Sequence, residues 1–310
     1  MKKLLLIDAN SLIHRSFHAL PPLTTPKGEP INAVYGLSSI LLKLLREHNP
    51  DYVAAAFDRP EATFRKEMYR EYKAHRPPTA NELVSQLIEA HNTFEKFGIK
   101  VVEKAGFEAD DVVGTLAEKF SSEGGSASGG KGSPSIGSGN SSSLSGVEEL
   151  QIIIFSGDKD NLQLVDGNKV SVELLKTGVS KTMTYSEALF LQEYGFSPKQ
   201  LVDYKALVGD TSDNIPGVTG IGPKGATDLI KEYGSVEKIY EEIGLISKEV
   251  LRKKLEVGRE SAFLSKKLAM IKRDVPLEIV LEDLKQHPLN KEELKTYFNE
   301  LGFKSLVERL

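Results

Sequence analysis

Three short apolar runs recur along the chain, and an aspartate follows each of them within three residues. They are Leu4–Ile7 before Asp8, Tyr52–Phe57 before Asp58 and Ile152–Phe155 before Asp158. Unbroken apolar runs of this length are typical of parallel strands that are covered on both faces. The pattern therefore predicts three buried parallel strands, each with an acidic residue at its carboxyl end.

Helical periodicity separates these runs. Residues Val34 to Arg46 and Asn81 to Phe97 follow the 3.6-residue repeat, Val170–Leu175 suggests a further strand, and the patterns after Tyr185 are helical. Alternating strands and helices favour an α/β fold with a mostly parallel central sheet flanked by helices. In such sheets the crevice beyond the carboxyl ends of the strands is where ligands bind.

The same patterns divide the chain into two regions. We predict an α/β core over residues 1–184 and a helical region over residues 185–310. Residues 121–146 are almost all Ser and Gly and lack apolar periodicity. Such a segment cannot bury enough surface to offset its ordering entropy, so we predict a flexible loop there.

Three carboxylates stand within four positions, directly before the helical pattern that begins at Val112. They are Glu108, Asp110 and Asp111. One or two acids in a first helical turn are explained by capping and the helix dipole. Three exceed that role, because their mutual repulsion grows faster than the dipole can offset it.

Further acids are expected to meet this cluster. They are Asp8, Asp58, Asp158, Asp160, Asp210 and Asp213. Carboxylates gathered in one cleft cannot all stay ionised without cations. Hard divalent ions, which prefer oxygen ligands, compensate such charge, and we expect Mg²⁺ here. This pattern indicates a metal-dependent nuclease.

Residues 59–76 combine basic and aromatic side chains. The cations are Arg59, Arg65, Lys66, Arg70, Lys73 and Arg76, interleaved with Phe64, Tyr69 and Tyr72. A mixed-charge run is usually a solvated helix face. Cations alternating with aromatics also suit a single nucleic-acid strand, whose phosphates need charge and whose bases need stacking surfaces. Tyr72, Lys73 and Arg76 are the strongest candidates.

A glycine-rich turn lies in the second region. Gly217, Gly220 and Gly222 permit a tight turn, and Pro223 suits the first turn of a helix. Backbone N–H groups at that helix end, with Lys224, form a candidate phosphate site. The turn lacks the Gly-Lys-Ser/Thr end of a P-loop, so we do not interpret it as a nucleotide-binding loop.

Composition adds constraints rather than a function. The 40 Lys and Arg against 44 Asp and Glu give a net charge of −4, so only local clusters could bind nucleic acid. The absence of cysteine excludes disulfides and thiolate zinc sites. His14 and His18 have the spacing of a zinc pair without its surrounding motif, so we favour a packing or stacking role. No stretch is apolar enough to cross a membrane, and we expect a soluble, cytoplasmic protein.

Taken together, six segments resemble the 5′-nuclease superfamily, and within it the N-terminal 5′–3′ exonuclease domains of bacterial DNA polymerase I. The segments are Leu-Ile-Asp-Ala-Asn, Ala-Phe-Asp-Arg-Pro, Tyr-Lys-Ala-His-Arg-Pro-Pro, Glu-Ala-Asp-Asp, Ser-Gly-Asp-Lys-Asp and Gly-Asp-Thr-Ser-Asp-Asn-Ile-Pro-Gly. They span nearly the whole chain in order. The resemblance implies a helical arch at about residues 59–98 and a helix-three-turn-helix unit around the glycine turn.

The resemblance also implies roles for individual residues. The first of two Mg²⁺ ions, with Mn²⁺ as a substitute, would be held by Asp8, Asp58, Glu108, Asp110 and Asp111. The second would be held by Asp158, Asp160, Asp210 and Asp213. Catalytic roles fall to Tyr72, Lys73 and Arg76, and DNA contacts to His14, Arg15, Arg65, Arg70, Gly217, Gly220, Gly222 and Lys224. The glycine turn would bind K⁺ through backbone carbonyls.

These roles imply a 5′–3′ exonuclease and 5′-flap endonuclease that acts on DNA and RNA primers. The expected partners are flapped, nicked or gapped duplexes and a polymerase domain or protein, with the chain itself a monomer. His14 stands where relatives commonly have a stacking tyrosine, and Gly225 replaces a threonine that often follows the turn lysine. One alternative is a non-catalytic DNA-structure-binding module, and another is a ribonuclease of the related PIN type.

Overall fold

The computed structural model describes residues 1–123 and 149–310, and a six-stranded sheet lies at its centre. The strands are β1 (Lys2–Asp8), β2 (Tyr52–Ala56), β3 (Lys100–Val102), β4 (Leu150–Ser156), β5 (Val170–Thr177) and β6 (Lys181–Tyr185). Their spatial order is β3-β2-β1-β4-β5-β6. All neighbours are parallel except β5 and β6. The predicted α/β fold class is confirmed.

Thirteen α-helices accompany these strands in the described ranges. The first seven are α1 (Ala9–Ala19), α2 (Asn32–His48), α3 (Phe64–Met68), α4 (Asn81–Lys96), α5 (Ala109–Glu123), α6 (Glu187–Tyr194) and α7 (Leu201–Val208). The others are α8 (Pro223–Tyr233), α9 (Val236–Glu241), α10 (Glu249–Val257), α11 (Arg259–Ala269), α12 (Lys291–Glu300) and α13 (Lys304–Val307). The helices predicted at Val34–Arg46 and Asn81–Phe97 are α2 and α4.

The central strands bury side chains on both faces. In β1, Leu4 and Leu6 point into one core with α5, while Leu5 and Ile7 point into the opposite core with α1 and α2. Successive side chains alternate across a strand, so a strand covered on both sides must be apolar throughout. This packing explains the unbroken apolar runs, and it anchors the strand ends that carry the acids.

The last two helices return to the α/β core. Tyr297 of α12 shares a hydrogen bond of 2.7 Å with Thr93, and Ser305 of α13 shares one of 2.9 Å with Tyr35. Residues 291–310 belong to the predicted helical region 185–310, but they pack on the α/β core. Their apolar side chains, such as Phe298, are buried against α2 and α4.

The segment predicted as an arch, residues 59–98, consists of two parts in different places. Helix α4 packs on α1 and α2 and buries Ala90 and Phe94, whereas the segment around Lys73 borders a cavity lined by Asp8 and Asp58.

The predicted Ser/Gly loop and the predicted domain boundary are only partly accessible to comparison. Residues 121–123 end α5, and the rest of the Ser/Gly segment lies outside the described residues. One hydrophobic core contains both Leu4 and Leu229, so side chains from both predicted regions pack together. The domain boundary at 184/185 stays a prediction.

Across the described ranges, no helix combines the length and apolarity needed to span a bilayer.

Candidate active site

The carboxyl ends of β1, β2 and β4 place their acids at one edge of the sheet. Asp8 is the last residue of β1 and pairs in register with Ala56 of β2. Asp58 follows β2 by two residues, and Asp158 follows β4 by two residues. Parallel neighbouring strands end at the same edge, so the spacing seen in the sequence brings these acids together.

Helix α5 brings the fourth acid. Its first residue, Ala109, donates its backbone N–H to Asp58 Oδ1 at 2.6 Å, so Asp58 fixes the start of the helix. Asp110 lies in the first turn, and its Oδ1 accepts a hydrogen bond of 2.7 Å from Asn161. The carboxylates of Asp58 and Asp110 both lie at the N-terminal end of α5, where the positive end of the helix dipole stabilises negative charge.

These acids surround one cavity of about 240 Å³. The lining residues are Asp8, Asn10, Ser11, His14, Asp58, Lys73, Arg76, Glu108, Ala109, Asp110 and Asp158. Five of the nine predicted metal ligands and two of the three predicted catalytic residues are therefore in one place.

Burial and mutual repulsion perturb the acids of this cavity. Burial, with a contribution from Asp158, raises the pKa of Asp8 to about 6. Burial and the neighbouring charges of Asp8 and Asp158 raise the pKa of Asp110 well above its ordinary value. Burial is also the main cause of the raised pKa of Asp58. Such shifts mean that the ionised pocket lacks compensating positive charge.

The other acids are paired with cations of the protein. Lys205 Nζ contacts Asp160 and lies 2.7 Å from Asp210 Oδ2, and Arg76 contacts Asp213. Burial opposes ionisation of Asp210, but Lys205 and Ser212 outweigh it and lower the pKa to about 2. For Asp160, burial and the charge of Asp158 prevail over Lys205 and raise the pKa to about 7.

Asp111 and Arg65 form a buried pair below the cavity. Two guanidinium nitrogens of Arg65 lie 2.7 Å from the two carboxylate oxygens of Asp111. The backbone N–H groups of Glu108 and Lys272 also donate to Asp111, at 3.0 and 2.8 Å. Asp111 does not line the cavity, and Arg65 is 2% exposed. The metal role of Asp111 and the phosphate contact of Arg65 stay predictions.

Lys73 and Arg76 border the cavity, and Tyr72 supports it from below. Lys73 has φ +52°, and its Nζ lies 3.0 Å from Glu108 Oε1. The Tyr72 hydroxyl donates to Glu108 Oε2 at 3.1 Å and contacts Asp213 Oδ2 at 3.3 Å. The ring of Tyr72 is 3% exposed. Tyr72 therefore has no open face for a nucleotide base in this structure, and its stacking role stays a prediction.

Three further residues predicted to contact DNA, His14, Arg15 and Arg70, lie in different places. His14 lines the cavity half-buried, and burial together with His18 and Arg76 lowers its pKa. Arg15 donates to the carbonyl of Lys176 at 2.6 Å, at the β5–β6 hairpin, and its phosphate contact stays a prediction. Arg70 is exposed and does not line the cavity.

The glycine turn joins α7 to α8. Gly217 has φ +64°, and a Cβ there would lie 2.4 Å from the backbone nitrogen of Gly209, so only glycine fits. Its carbonyl accepts from Ser261 at 2.6 Å, and that of Gly220 accepts from Lys254 Nζ at 2.9 Å. Gly222 precedes α8, and Lys224 is exposed in its first turn. K⁺ binding at this turn stays a prediction.

Sequence reasoning missed three residues that organise the carboxylates. Ser156 and Asn161 are fully buried and donate hydrogen bonds to Asp8 and Asp110, and Lys205 bridges Asp160 and Asp210. Ser156 directly follows the apolar run Ile152–Phe155, so the sequence indicates its place at a strand end. Neither of the others had a distinguishing pattern.

Comparison with known proteins adds the family. Residues 3–128 match the model of the 5′–3′ exonuclease N-terminal resolvase-like domain, and residues 196–292 match that of the 5′–3′ exonuclease C-terminal SAM fold. A 5′–3′ exonuclease from Aquifex aeolicus is 36% identical over 310 residues, which cover 100% of this chain and 96% of that protein. The chain belongs to the 5′–3′ exonuclease family.

Some relatives of this chain are longer proteins. DNA polymerase I of Caldicellulosiruptor bescii is 43% identical over 99% of this chain, and that of Bacillus subtilis is 38% identical over 100%. The chain spans 33% and 32% of those proteins. It thus corresponds to about a third of the DNA polymerase I relatives and to nearly all of the A. aeolicus exonuclease.

Solved structures share the fold of the exonuclease chain. A T5 5′-exonuclease with bound zinc ions has a TM-score of 0.64 at 23% identity, covering 86% of this chain and 89% of that one. The catalytic core of Rad2 in complex with DNA has a TM-score of 0.58 at 17% identity, covering 99% and 90%. At these identities the likeness concerns the fold.

The donor set of the cavity is suited to a divalent metal ion. In the part of the chain that the structure describes, no group of three or more acidic or histidine side chains is already arranged to hold a metal ion. The carboxylates nevertheless line one small cavity, and they offer the oxygen donors that Mg²⁺ and Mn²⁺ accept. The raised pKa of Asp8 and Asp110 indicates negative charge that a cation would stabilise.

Proposed function

We propose that this chain is a divalent-metal-dependent 5′–3′ exonuclease and 5′-flap endonuclease that hydrolyses phosphodiester bonds of DNA and of RNA primers. The observation that carries the proposal is the cavity where Asp8, Asp58, Asp110 and Asp158 meet beside Lys73. Membership of the 5′–3′ exonuclease family supports the reaction class.

Two Mg²⁺ ions are the proposed cofactors, and Mn²⁺ can replace them. The first is proposed to bind at the cavity through Asp8, Asp58, Glu108, Asp110 and Asp158. The second is proposed to bind next to it, through Asp160, Asp210 and Asp213. Bound divalent ions would supply an activated water and would neutralise charge on the scissile phosphate.

Lys73 and Arg76 are proposed to bind the scissile phosphate. Both line the cavity, and each is paired with a carboxylate, Lys73 with Glu108 and Arg76 with Asp213. Cations held in this way stabilise the negative charge of a phosphoryl transition state without further reorganisation. Tyr72 orients Glu108 and Asp213 through its hydroxyl, and His14 is the ring in the cavity lining that a terminal base could contact.

The glycine turn is proposed to bind the duplex part of the substrate, with K⁺ as its ion. Gly217, Gly220 and Gly222 hold the backbone before α8, whose N-terminus and Lys224 offer positive charge. Contacts of this kind reach phosphates rather than bases. Binding should therefore depend on salt and be nearly independent of sequence.

A non-catalytic DNA-structure-binding module is the second candidate. Its weakness is the buried acidic cavity, because a protein that only binds a polyanion gains nothing from uncompensated carboxylates at its surface of contact. A PIN-type ribonuclease is less suited, because the glycine turn at Gly217–Gly222 and the second matched family region would have no role in it.

One experiment separates these candidates. The purified chain is incubated with a 5′-flap DNA and with a plain single-stranded RNA, first in Mg²⁺ and then with excess EDTA. The proposal expects cleavage of the flap that stops in EDTA. Flap binding without cleavage in Mg²⁺ would favour the binding module, and faster cleavage of the RNA would favour the ribonuclease.

The proposed partners follow from the same relatives. Since the matched DNA polymerase I proteins are about three times as long, we propose that the nuclease works with a polymerase domain or protein. We further propose a cytoplasmic location and a monomeric state. Sedimentation of the chain with and without flap DNA tests the monomer.

A further inference from the structure

One buried hydroxyl connects two strand ends of the cavity. Ser156 is the last residue of β4 and is 0% exposed. Its Oγ donates to Asp8 Oδ2 at 2.6 Å and accepts from the backbone N–H of Asp158 at 2.8 Å. A single side chain thus holds the carboxylate of β1 and the backbone that carries Asp158.

A buried amide extends this connection to α5. Asn161 is also 0% exposed, and its Nδ2 donates to Asp110 Oδ1 at 2.7 Å and to Ser156 Oγ at 3.2 Å. Its other polar atom, Oδ1, is buried and has no hydrogen-bond partner among the described residues. A buried unpaired acceptor is unfavourable for folding, so stability alone does not explain an amide at this position.

The orientation of Asp110 follows from this contact. Asn161 occupies Asp110 Oδ1, and within residues 1–123 and 149–310 no hydrogen bond reaches Oδ2. Asp8 is fixed more tightly, because Oδ1 accepts from the backbone N–H of Ser11 at 3.1 Å while Oδ2 accepts from Ser156. Both carboxylates are therefore held by neutral donors, which set direction without cancelling charge.

We propose that Ser156 and Asn161 are positioning residues that orient Asp8 and Asp110 to bind a divalent ion. The proposal rests on the proposed metal-dependent function. Hydrogen-bond partners of metal ligands typically change metal affinity by about 10- to 100-fold when they are removed. The pair is expected to act on ion affinity, and on cleavage only through the bound ion.

The test compares two fully buried serines. Ser156→Ala removes the hydroxyl that contacts Asp8, whereas Ser38→Ala removes one from α2 whose Oγ has no partner in the described part of the chain. Mn²⁺ affinity is measured by calorimetry and electron paramagnetic resonance on the full chain without DNA. Ser156→Ala should weaken Mn²⁺ binding about 10- to 100-fold relative to the parent, and Ser38→Ala should leave it unchanged. Equal affinity in the two variants would overturn the proposal.

Two further variants protect the test against a folding defect. Ser156→Thr keeps the hydroxyl and should restore Mn²⁺ affinity to within a few-fold of the parent. Asn161→Leu removes the donor to Asp110 by another route and should weaken Mn²⁺ binding about tenfold. Unchanged affinity in Asn161→Leu would remove its part of the proposal.

The controls also separate this proposal from the proposed function. A parent protein that neither binds Mn²⁺ nor cleaves a flap would contradict the proposed function itself. A parent that does both, with variants that do the same, would contradict only the positioning role. Circular dichroism in EDTA confirms that each variant is folded before the ion titration is interpreted.

Discussion

Two neighbouring groups of acids in the molecule differ in their partners, because one has only neutral hydrogen-bond donors and the other has cations. Asp8, Asp58, Asp110 and Asp158, here called the open cluster, accept hydrogen bonds from hydroxyl, amide and backbone N–H groups. Among the described residues, no lysine or arginine forms an ion pair with them. Asp160, Asp210 and Asp213, here called the paired cluster, contact Lys205 or Arg76.

The difference determines where an added cation is most stabilising. Neutral donors orient a carboxylate but leave its charge, so Asp8 and Asp110 keep raised pKa values. In the paired cluster Lys205 already supplies a positive charge. It lowers the pKa of Asp210 to about 2 despite burial, whereas burial and the charge of Asp158 keep the pKa of Asp160 at about 7. A divalent ion therefore enters the open cluster without a competitor, whereas at the paired cluster it competes with an ammonium group.

The largest expected effect comes from the open cluster. Asp110→Asn removes a carboxylate that lines the cavity while keeping its size and its contact with Asn161. Single-turnover flap cleavage in Mg²⁺ should fall by about 10³-fold or more, because the loss of a metal ligand removes several kcal/mol of transition-state stabilisation. Flap affinity measured by fluorescence anisotropy should be unchanged. Cleavage within a few-fold of the parent would show that the open cluster is not the reaction centre.

The adjacent acid provides the sharpest contrast. The variant Asp111→Asn changes the next residue of α5 and removes the two-point ion pair of the buried Arg65 guanidinium. Among the described residues, Arg65 then keeps only Glu108 Oε2, at 3.4 Å, as a carboxylate partner. Breaking a buried pair in this way costs about 3–5 kcal/mol. We expect a loss of stability toward urea that Asp110→Asn does not show. Equal unfolding midpoints for the two variants would contradict the separation of roles.

The open cluster also predicts how pH changes stability. The pKa of Asp8 is about 6 in the ion-free folded protein against an ordinary 3.8, so the folded state binds the proton more tightly. Its contribution to stability is present at low pH and is lost as pH rises through about 6, a change on the order of 3 kcal/mol.

Mg²⁺ should therefore raise the melting temperature more at pH 8 than at pH 5, relative to EDTA. Asp8→Asn should reduce this difference, because it removes the titrating group. Equal stabilisation by Mg²⁺ at both pH values would mean that the ion does not bind at the open cluster.

The sequence predicted much of this arrangement and missed a specific part of it. Apolar runs that end in acid were sufficient to place Asp8, Asp58 and Asp158 at one edge, because strand ends are a local property. Asp110 and Asp111 could not be distinguished, since they are adjacent in one helical turn. The difference arises from Arg65, 46 residues earlier, whose partner only the folded chain defines.

Burial was the other property that spacing did not reveal. Tyr72 occurs in a basic-aromatic run that suits a stacking surface, yet it packs with Ile215 and Leu268 from the second region of the chain. Ser156 and Asn161 are ordinary residue types at the end of a strand and in a short 3₁₀ helix. Their importance comes from side chains that converge after the sheet and α5 have assembled.

A smaller effect is expected from the cation of the paired cluster. Lys205 bridges Asp160 and Asp210 with a side chain that is 13% exposed, and Lys266 bridges Asp203 and Glu237 with one that is 15% exposed. Lys205→Ala should tighten the weaker of two Mn²⁺ binding steps by about tenfold, because it removes a competing unit charge. Lys266→Ala is the matched control and should change neither step. Weaker Mn²⁺ binding in Lys205→Ala would show that the lysine positions the acids rather than competing for them.

The smallest effect tests whether duplex binding is independent of both clusters. Lys224 is exposed in the first turn of α8, and Lys231 is exposed in the last turn of the same helix. Lys224→Ala should weaken duplex binding about two- to threefold and reduce the salt dependence by about one counterion, equally for all sequences. Lys231→Ala should leave both values unchanged, because the phosphate site requires the N-terminus of the helix.

Cleavage at saturating DNA should be normal in both the Lys224→Ala and the Lys231→Ala variants, since the carboxylates, Lys73 and Arg76 are intact. A reduced cleavage rate at saturation would instead show that the glycine-turn unit acts on the reaction centre itself.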